Sequence, residues 1–309
     1  MGLDFRLMGV INVTPDSFSD GGCFLDAGAA VSHGLALIEQ GADILDVGGE
    51  STRPGAEPVP ADEEIARVRP VVEGLAGSAS QISIDTSKRA VAEVALRAGA
   101  TLVNDVTAFR GDPEMAGLVA EAGVECCLMH MLGEPRTMQR EPSYGDVVSE
   151  VKAFLEERLA FAVREGVGEE RVMLDPGVGF GKTAAHNLEL LRRVDELVAI
   201  GRPLVVGTSR KSFLGRIAAA AAKGVAVSEA EPPPGDRLPG TIATNVLAYE
   251  RGASVFRVHD VAAVRDALAL TAATLGARWT ESSAATTAKS STTSPASSTG
   301  TTGSRAPSP

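Results

Sequence analysis

The chain has 309 residues, with 29 lysines and arginines against 40 aspartates and glutamates, so its formal net charge at pH 7 is −11. Neither that total nor any dense basic run provides the cationic face that nucleic acid requires, which excludes a general nucleic-acid binder. The chain has no run of roughly 20 apolar residues and no signal-like start, so we expect no membrane partner. Three cysteines, two of them adjacent, favour a reducing, cytoplasmic location.

Short apolar runs alternate with helix-period segments along the sequence. The runs predict strands at residues 7–13, 44–47, 82–84, 102–103, 124–129, 172–174, 204–206 and 255–258. Amphipathic segments predict helices at residues 27–40, 62–75, 90–98, 144–165, 187–199 and 261–275. An alanine-rich helix and a helix around residues 244–251 flank a proline-rich insertion at 228–237. This repeated strand and helix order predicts a parallel (β/α)₈ TIM barrel, of the α/β class, over residues 1–280.

The last segment, residues 281–309, differs in composition from the rest. About half of it is Ser or Thr, and it contains no Leu, Ile, Val, Met or aromatic residue. Such a segment cannot bury enough apolar surface to offset an ordering cost of about 1 to 2 kcal/mol per residue. We expect a disordered tail.

Polar side chains lie at the carboxyl end of nearly every predicted strand, among its last residues or just after it. In chain order they are Asn12, Asp46 with Glu50, Asp85, Asn104 with Asp105, His130, Asp175, the triplet Ser209-Arg210-Lys211, and Arg257 with His259. The carboxyl ends of the strands of a barrel meet around one mouth, where the active sites of this fold lie. A doubly wound sheet would instead concentrate its chemistry at one or two strand ends. The even distribution therefore favours the barrel.

Cationic residues at the last two strands predict an anion site. Ser209-Arg210-Lys211 stands where a helix begins, and free backbone N–H groups at a helix N-terminus favour an anion. Strand alternation places Arg257 and His259 on one face. Many barrels hold a phosphate near these two strands, so we assign the cluster to a phosphate or diphosphate.

Carboxylates and an amide follow strands three, four and six. Asp85, Asn104 and Asp175 offer acceptors together with an amide that both donates and accepts. This mixture suits a flat heterocycle with amino, ring N–H and carbonyl edges. A metal-binding triad of the same residues is the competing interpretation, and two carboxylates without a nearby histidine favour it less.

Three glycine-rich segments follow predicted strands. Residues 12–22 and 48–55 are rich in Gly, Pro and Ser and resemble closing lids. Residues 177–183 look like a phosphate loop, but Pro176 stands where that pattern requires glycine. We therefore place no phosphate there.

A family resemblance rests on eight ordered motifs. They are MGVINVTPDSFSDGG, DVGGESTRPGA, SIDTSK, NDV, LMHM followed by Gly133 and Pro135, LDPGVGFGKT with His186-Asn187, SRKSFLG and RVHDV. Together they are similar to the bacterial dihydropteroate synthases from about Met8 to Val261. The resemblance implies a (β/α)₈ barrel that joins p-aminobenzoate to hydroxymethyl-dihydropterin diphosphate, releasing pyrophosphate. It also implies a homodimer and competition by sulfonamides at the p-aminobenzoate site.

The resemblance also implies residue roles, carried over motif by motif. The pterin ring is expected to contact Asp85, Asn104, Asp175, Lys211, Met129 and Phe180. The diphosphate is expected to contact Asn12, Thr52, Arg257 and His259, with Asn12 also holding Mg²⁺ as cofactor. The p-aminobenzoate site is expected to include Thr52, Arg53, Pro54 and Ser212. Residues with a direct part in catalysis are expected to be Phe18, Asp20, Lys211, Arg257 and His259.

Other functions remain open at this level. A pterin-dependent methyltransferase shares the ring-binding groups but has no reason to keep a diphosphate cradle. A non-catalytic pterin-binding paralogue would be expected to lose its lid residues, yet Thr52-Arg53-Pro54 and residues 16–20 are intact. The fold alone would also accommodate a Schiff-base aldolase that uses Lys211.

Overall fold

The computed structural model describes residues 4–14, 27–53, 55–134, 136–227 and 237–276, together with residue 308. Several predictions fall on other residues and so lie outside the described part of the chain. They concern Phe18, Asp20, Pro54, the insertion at 228–236 and the tail at 281–309 apart from residue 308.

Eight strands alternate with helices over the described residues. The strands are β1 Arg6–Asn12, β2 Ile44–Gly48, β3 Gln81–Asp85, β4 Leu102–Asp105, β5 Glu125–Met129, β6 Val172–Asp175, β7 Val205–Val206 and β8 Val255–Val258. The helices are α1 Ala27–Glu39, α2 Ala61–Leu75, α3 Arg89–Ala98, α4 Met115–Ala122, α5 Val147–Arg164, α6 Ala184–Arg192, α7 Val194–Val198, α8 Ser212–Lys223, α9 Leu238–Glu250 and α10 Val261–Thr274. A short 3₁₀ turn, Glu169–Arg171, precedes β6.

The strands form one parallel sheet in the order β6-β5-β4-β3-β2-β1-β8-β7. A single bridge between Leu174 and Leu204 brings the two ends of this sheet together. The sheet is thus a nearly closed barrel surrounded by helices, which confirms the predicted (β/α)₈ fold. Within the described residues, no helix is long and apolar enough to cross a membrane.

Several helix boundaries differ from the sequence prediction, among them the starts of α5 and α9 and the middle of the segment predicted at 187–199. Helix α5 begins at Val147 rather than at residue 144, because the side chain of Asp146 caps it by accepting a 2.7 Å hydrogen bond from the Ser149 N–H. The helix predicted at 187–199 is two helices that meet at Arg193, whose backbone is not helical. The guanidinium of Arg193 binds Asp146 at 2.8 Å and Glu196 at 2.6 Å. Helix α4 was not predicted.

The barrel interior has two layers with different chemistry. Seven side chains, each at most 1% exposed, form what we call the apolar layer: Met8, Ile44, Leu102, Cys127, Met173, Val205 and Val255. Side chains on a strand return to the same face every second residue. Two positions further along the same strands therefore lies a mouth layer, made of Val10, Asp46, Asn104, Met129, Asp175, Gly207 and Arg257. The first polar side chains of the mouth layer therefore lie two residues beyond the apolar layer.

Candidate active site

A cleft opens at the carboxyl ends of the strands. Its walls contain Thr52, Asp85, Asn104, Val106, Met129, Asp175, Phe180, Gly207, Ser209, Lys211, Arg257 and His259. The sequence predicts a role in binding or catalysis for all of these residues except Val106 and Gly207. The fold thus brings residues from strand ends far apart in sequence to one place.

Arg257 is the centre of the charged network in the cleft. Its Nε donates to Asp46 Oδ2 at 2.6 Å and its Nη2 donates to Asp85 Oδ2 at 2.8 Å. Asp46 is fully buried and also accepts from Ser83 Oγ at 2.7 Å and from Asn104 Nδ2 at 3.1 Å. Asp46 therefore orients both Arg257 and Asn104 from below. Asp46 lies near the end of the strand predicted at 44–47, but its sequence position alone gave it no role.

The acidic groups predicted to bind the ring, Asp85 and Asp175, are largely removed from solvent and partly anchored. Asp85 is bound through Oδ2 to Arg257, and Asp175 Oδ1 accepts a 2.6 Å hydrogen bond from the Gly177 N–H. Each carboxylate can therefore offer its other oxygen to a ligand. Burial raises the pKa of Asp85, against the opposing effect of Arg257. Burial likewise raises the pKa of Asp175, opposed mainly by the charge of Lys211.

Lys211 lines the same cleft as Asp85 and Asp175. Its Nζ donates to the carbonyl of Val178 and lies 4.4 Å from the centroid of the Phe180 ring. Burial lowers the pKa of Lys211 to about 8, against the attraction of Asp175. Lys211 and Asp175 could bind the polar edge of a flat ring, and Phe180 could pack against its face.

Ser209 fixes the orientation of His259. The Ser209 hydroxyl oxygen accepts the backbone N–H of His259 at 3.2 Å and lies 2.9 Å from its Nδ1. When the Ser209 hydroxyl donates its proton to Nδ1, the proton of the neutral ring lies on Nε2. Burial, reinforced by Arg257 and Arg210, lowers the pKa of His259 to about 4. At neutral pH the imidazole is therefore uncharged and can donate one hydrogen bond.

The structure turns Arg210 away from the anion site that the sequence predicts for it. Arg210 has a left-handed backbone, with φ of 58°, between two residues that face the cleft. Its guanidinium binds Asp260 through Nε at 3.1 Å and Nη2 at 2.6 Å.

The remaining predicted residues lie around the rim. Thr52 lines the cleft, whereas Arg53 is exposed, although its positive charge contributes to lowering the pKa of His259. Ser212 is exposed as the first residue of α8, and Asn12 is half-buried as the last residue of β1.

Lys182 is a buried residue that sequence reasoning passed over. The residue is 2% exposed. Its Nζ donates to the carbonyls of Gly177 and Phe180, both at 3.0 Å. Nζ also lies 2.9 Å from His130 Nδ1. Lys182 thus holds the loop that carries Phe180 from inside. Two sequence patterns include this lysine, the phosphate-loop pattern that fails on spacing and the motif LDPGVGFGKT, but neither assigned it a role.

The alternative of a metal-binding triad does not suit the geometry. The Arg257 guanidinium occupies one oxygen of Asp85, and a resident cation beside it would be repelled. Among the described residues, no group of three His, Cys, Asp or Glu side chains could hold a metal ion.

The chain matches a family model described as pterin binding enzyme over residues 8–259. The Mycobacterium leprae dihydropteroate synthase is 48% identical over 88% of this chain and 94% of that protein. A probable bifunctional folylpolyglutamate synthase/dihydropteroate synthase of Haloferax volcanii is 46% identical over 85% of this chain. The chain spans only 30% of that relative's length.

Solved structures give the same result. Xanthomonas albilineans dihydropteroate synthase with 4-aminobenzoic acid has a TM-score of 0.77 and 45% identity, covering 87% of this chain and 93% of that one. The same enzyme with 7,8-dihydropteroate has a TM-score of 0.74 and 42% identity over 87% and 93%. A Yersinia pestis dihydropteroate synthase in a sulfonamide complex has a TM-score of 0.77 and 40% identity over 88% and 94%. This chain belongs to the dihydropteroate synthase family of pterin-binding enzymes.

Proposed function

We propose that this chain transfers the pterin methylene group of hydroxymethyl-dihydropterin diphosphate to the amino group of p-aminobenzoate. The products are dihydropteroate, a folate precursor, and pyrophosphate. The observation that carries the proposal is the cleft itself, where ring-binding acids and an amide lie next to Arg257 and His259. The names and bound ligands of the relatives support it independently.

The pterin ring is assigned to the deep part of the cleft. Asp85 and Asp175 accept hydrogen bonds from its amino and ring N–H groups. Asn104, whose amide nitrogen is bound to Asp46, presents Oδ1 as a further acceptor. Met129 and Phe180 cover the ring faces, and Lys211 donates to a carbonyl or ring nitrogen.

The leaving group is assigned to the cationic side. The methylene C–O bond breaks and its electron pair leaves with the diphosphate, which leaves a cation delocalised over the pterin. The p-aminobenzoate nitrogen then donates its lone pair to the methylene carbon and loses a proton to solvent. Arg257 and the Nε2–H of neutral His259 stabilise the negative charge that develops on the diphosphate, with Thr52 beside them. Since a free arylamine is already a nucleophile, no general base is required.

The rim residues are assigned to the second substrate. Thr52, Arg53 and Ser212 lie at the mouth, where Arg53 can pair with the carboxylate of p-aminobenzoate, and Pro54 adjoins them in sequence. Sulfonamides are expected to compete there, and the complex of the Yersinia pestis relative with a sulfonamide drug supports this expectation. Phe18 and Asp20, on the first loop, are proposed to exclude water from the cation.

Asn12 is proposed to hold Mg²⁺ together with the diphosphate. The donor set fits, because Mg²⁺ prefers oxygen ligands and is often held by one or two protein groups plus substrate phosphates. Asn12 supplies one amide oxygen at the end of β1. When bound, the ion would neutralise charge on the diphosphate.

Other aspects of the family resemblance are also proposals. We expect a homodimer, which light scattering of the purified protein would test, and a cytoplasmic location, which cell fractionation would test. The free, buried Cys126 and Cys127 agree with a reducing compartment.

The direct test is pyrophosphate release by purified protein given the pterin diphosphate and Mg²⁺, with and without p-aminobenzoate. Equal amounts of pyrophosphate and dihydropteroate, both dependent on p-aminobenzoate, are expected. Binding of the pterin without either product would instead indicate a non-catalytic paralogue. Omitting Mg²⁺ in the same assay tests the cofactor separately, and unchanged turnover without it would contradict the role of Asn12.

A further inference from the structure

A cluster of ionised side chains lies beside the cleft rather than in it. Lys88 Nζ contacts a carboxylate oxygen of Glu50 and lies 2.5 Å from Glu64 Oε2. The Glu64 side chain is 0% exposed, whereas those of Lys88 and Glu50 are about one quarter exposed, at 27% and 26%. None of the three lines the cleft.

The three residues come from three different elements. Glu50 belongs to the loop after β2, two residues before Thr52. Glu64 lies in α2, and Lys88 precedes α3 as its capping residue, three positions after Asp85. The backbone N–H of Lys88 is itself held by Thr86 Oγ1 at 3.2 Å. The lysine therefore ties the start of a glycine-rich loop to two packed helices.

A second contact fixes the same part of the loop. Arg67 of α2 donates through Nη1 to the carbonyl of Gly49 at 2.7 Å. A Cβ on Gly49 would lie 2.7 Å from Val68 Cγ1, so the backbone there rests directly on the helix. The base of the loop is thus seated on α2, while the residues that follow it, Thr52 and Arg53, reach the mouth.

Lys88 supplies the positive charge that pairs with both carboxylates of this cluster. Glu64 Oε1 is buried and has no hydrogen-bond partner among the described residues, so Lys88 is the main compensation for this carboxylate. Burial raises the pKa of Glu64, and Lys88 opposes that rise. Burial by itself would lower the pKa of Lys88, but the hydrogen bonds to Glu50 and Glu64 outweigh it and the net pKa is raised. Breaking such a group by removing one partner is costly.

We infer that Lys88 is a positioning residue that holds the second loop, through Glu50, so that Thr52 and Arg53 meet p-aminobenzoate. Its loss weakens the use of p-aminobenzoate while leaving the pterin diphosphate site, anchored by Arg257 and Asp175, in place. The inference rests on the proposed function, which assigns Thr52 and Arg53 to this substrate.

The test compares KM for the two substrates in four variants. Lys88→Met is expected to raise KM for p-aminobenzoate roughly tenfold or more, with less than a twofold change in KM for the pterin diphosphate. Lys88→Arg, which keeps the charge, should restore most of the loss. Lys152→Met is the matched control, because Lys152 is a surface lysine of α5 that pairs only loosely with Glu156, at 4.0 Å. Arg53→Ala serves as the reference for the substrate assignment.

A second variant separates positioning from stability. Lys88→Met leaves the buried Glu64 carboxylate uncompensated and lowers stability, so the double variant Lys88→Met/Glu64→Gln removes that charge as well. We expect the double variant to regain its melting temperature but to keep the raised KM for p-aminobenzoate. Recovery of both would show that Lys88 acts only on stability and would overturn the inference.

The outcomes distinguish the inference from the function beneath it. If Arg53→Ala raises KM for p-aminobenzoate and Lys88→Met does not, the positioning role is wrong and the proposed function stands. If neither variant affects that KM, the assignment of the second loop to p-aminobenzoate fails and the inference fails with it. Equal rises in both KM values for Lys88→Met would also overturn the inference, since a general distortion of the mouth would explain them.

Discussion

The apolar layer and the mouth layer of the barrel lie two residues apart along the same strands, yet only the mouth layer contains charged and amide side chains. The apolar layer contains only Met, Ile, Leu, Cys and Val side chains. The mouth layer contains Asp46, Asn104, Asp175 and Arg257. Hydrophobic burial needs no specific partner, whereas each buried polar group requires one.

The difference shows how the barrel separates stability from function. In the apolar layer, each side chain contributes through contact area and packing. In the mouth layer, each charge is compensated by a neighbour, and Arg257 is shared between Asp46 and Asp85. The mouth is therefore a connected network whose members depend on specific partners, while the side chains of the apolar layer need only apolar neighbours.

The largest expected effect comes from breaking the mouth network at its centre. Arg257→Met leaves Asp46 and Asp85 buried without their cation, which is expected to cost about 3 to 5 kcal/mol in free energy of unfolding. Pyrophosphate release should fall with it. Urea denaturation and the pyrophosphate assay measure the two effects. The double variant Arg257→Met/Asp46→Asn should recover part of the stability and none of the activity, and recovered activity would contradict the role of Arg257.

A change in the apolar layer should act on stability alone. Leu102→Ala removes a fully buried side chain, and such truncations cost about 2 to 5 kcal/mol. The kcat of the folded fraction is expected to stay near that of the wild type, because the polar groups keep their partners. Urea midpoints together with activity at low temperature check this. A drop in kcat of the folded fraction as large as that from Arg257→Met would show that the two layers are not separate.

Asp85→Asn tests one ligand contact at the edge of the mouth network. The substitution removes the charge from a group that binds both Arg257 and, in our proposal, the pterin, and losing one charged hydrogen bond costs about 1.5 to 3 kcal/mol. Calorimetry with a pterin ligand should show affinity weakened accordingly. Unchanged pterin affinity would rule out the ring assignment.

A smaller effect is expected from pH, with opposite signs for activity and stability. Burial lowers the pKa of Lys211 to about 8, below its ordinary value of 10.5. As pH rises through about 8, kcat/KM for the pterin diphosphate should fall, because the ammonium charge is lost. Between about pH 8 and pH 10.5, Lys211 is protonated to a greater extent in the unfolded chain than in the folded one. The contribution of Lys211 to the free energy of unfolding therefore rises with pH in this range. Lys211→Met should flatten both profiles relative to wild type, and an unchanged activity profile would contradict the assignment.

Much of this arrangement could be predicted from local sequence. The strands, their polar ends and most of the cleft residues follow from alternation and from the motifs, because period-two patterns fix which face a side chain takes. Arg257 and His259 were predicted on one face in this way, and the structure places both in the cleft. The break at Arg193 was not predicted, and the guanidinium there pairs with Asp146, 47 positions away, as well as with the nearby Glu196.

For two residues, the local sequence pattern suggested a contact different from the one in the structure. Lys182 occurs in a glycine-rich segment that resembles a phosphate loop, but its ammonium faces backbone carbonyls of its own loop. Arg210 stands between two cleft residues, yet a left-handed backbone directs it to Asp260. Both outcomes depend on where neighbouring loops place their oxygens.

The sequence by itself determined the barrel, the family, and which residue types reach the mouth, because hydrophobic periodicity and short motifs are properties of consecutive residues. Only the tertiary structure decided how those residues are paired. Asp46 joins Arg257 across 211 positions, and Lys88 joins Glu50 across 38, so neither contact can be read from spacing. The electrostatics of buried charges depends on distances between strands and loops, and folding alone sets those distances.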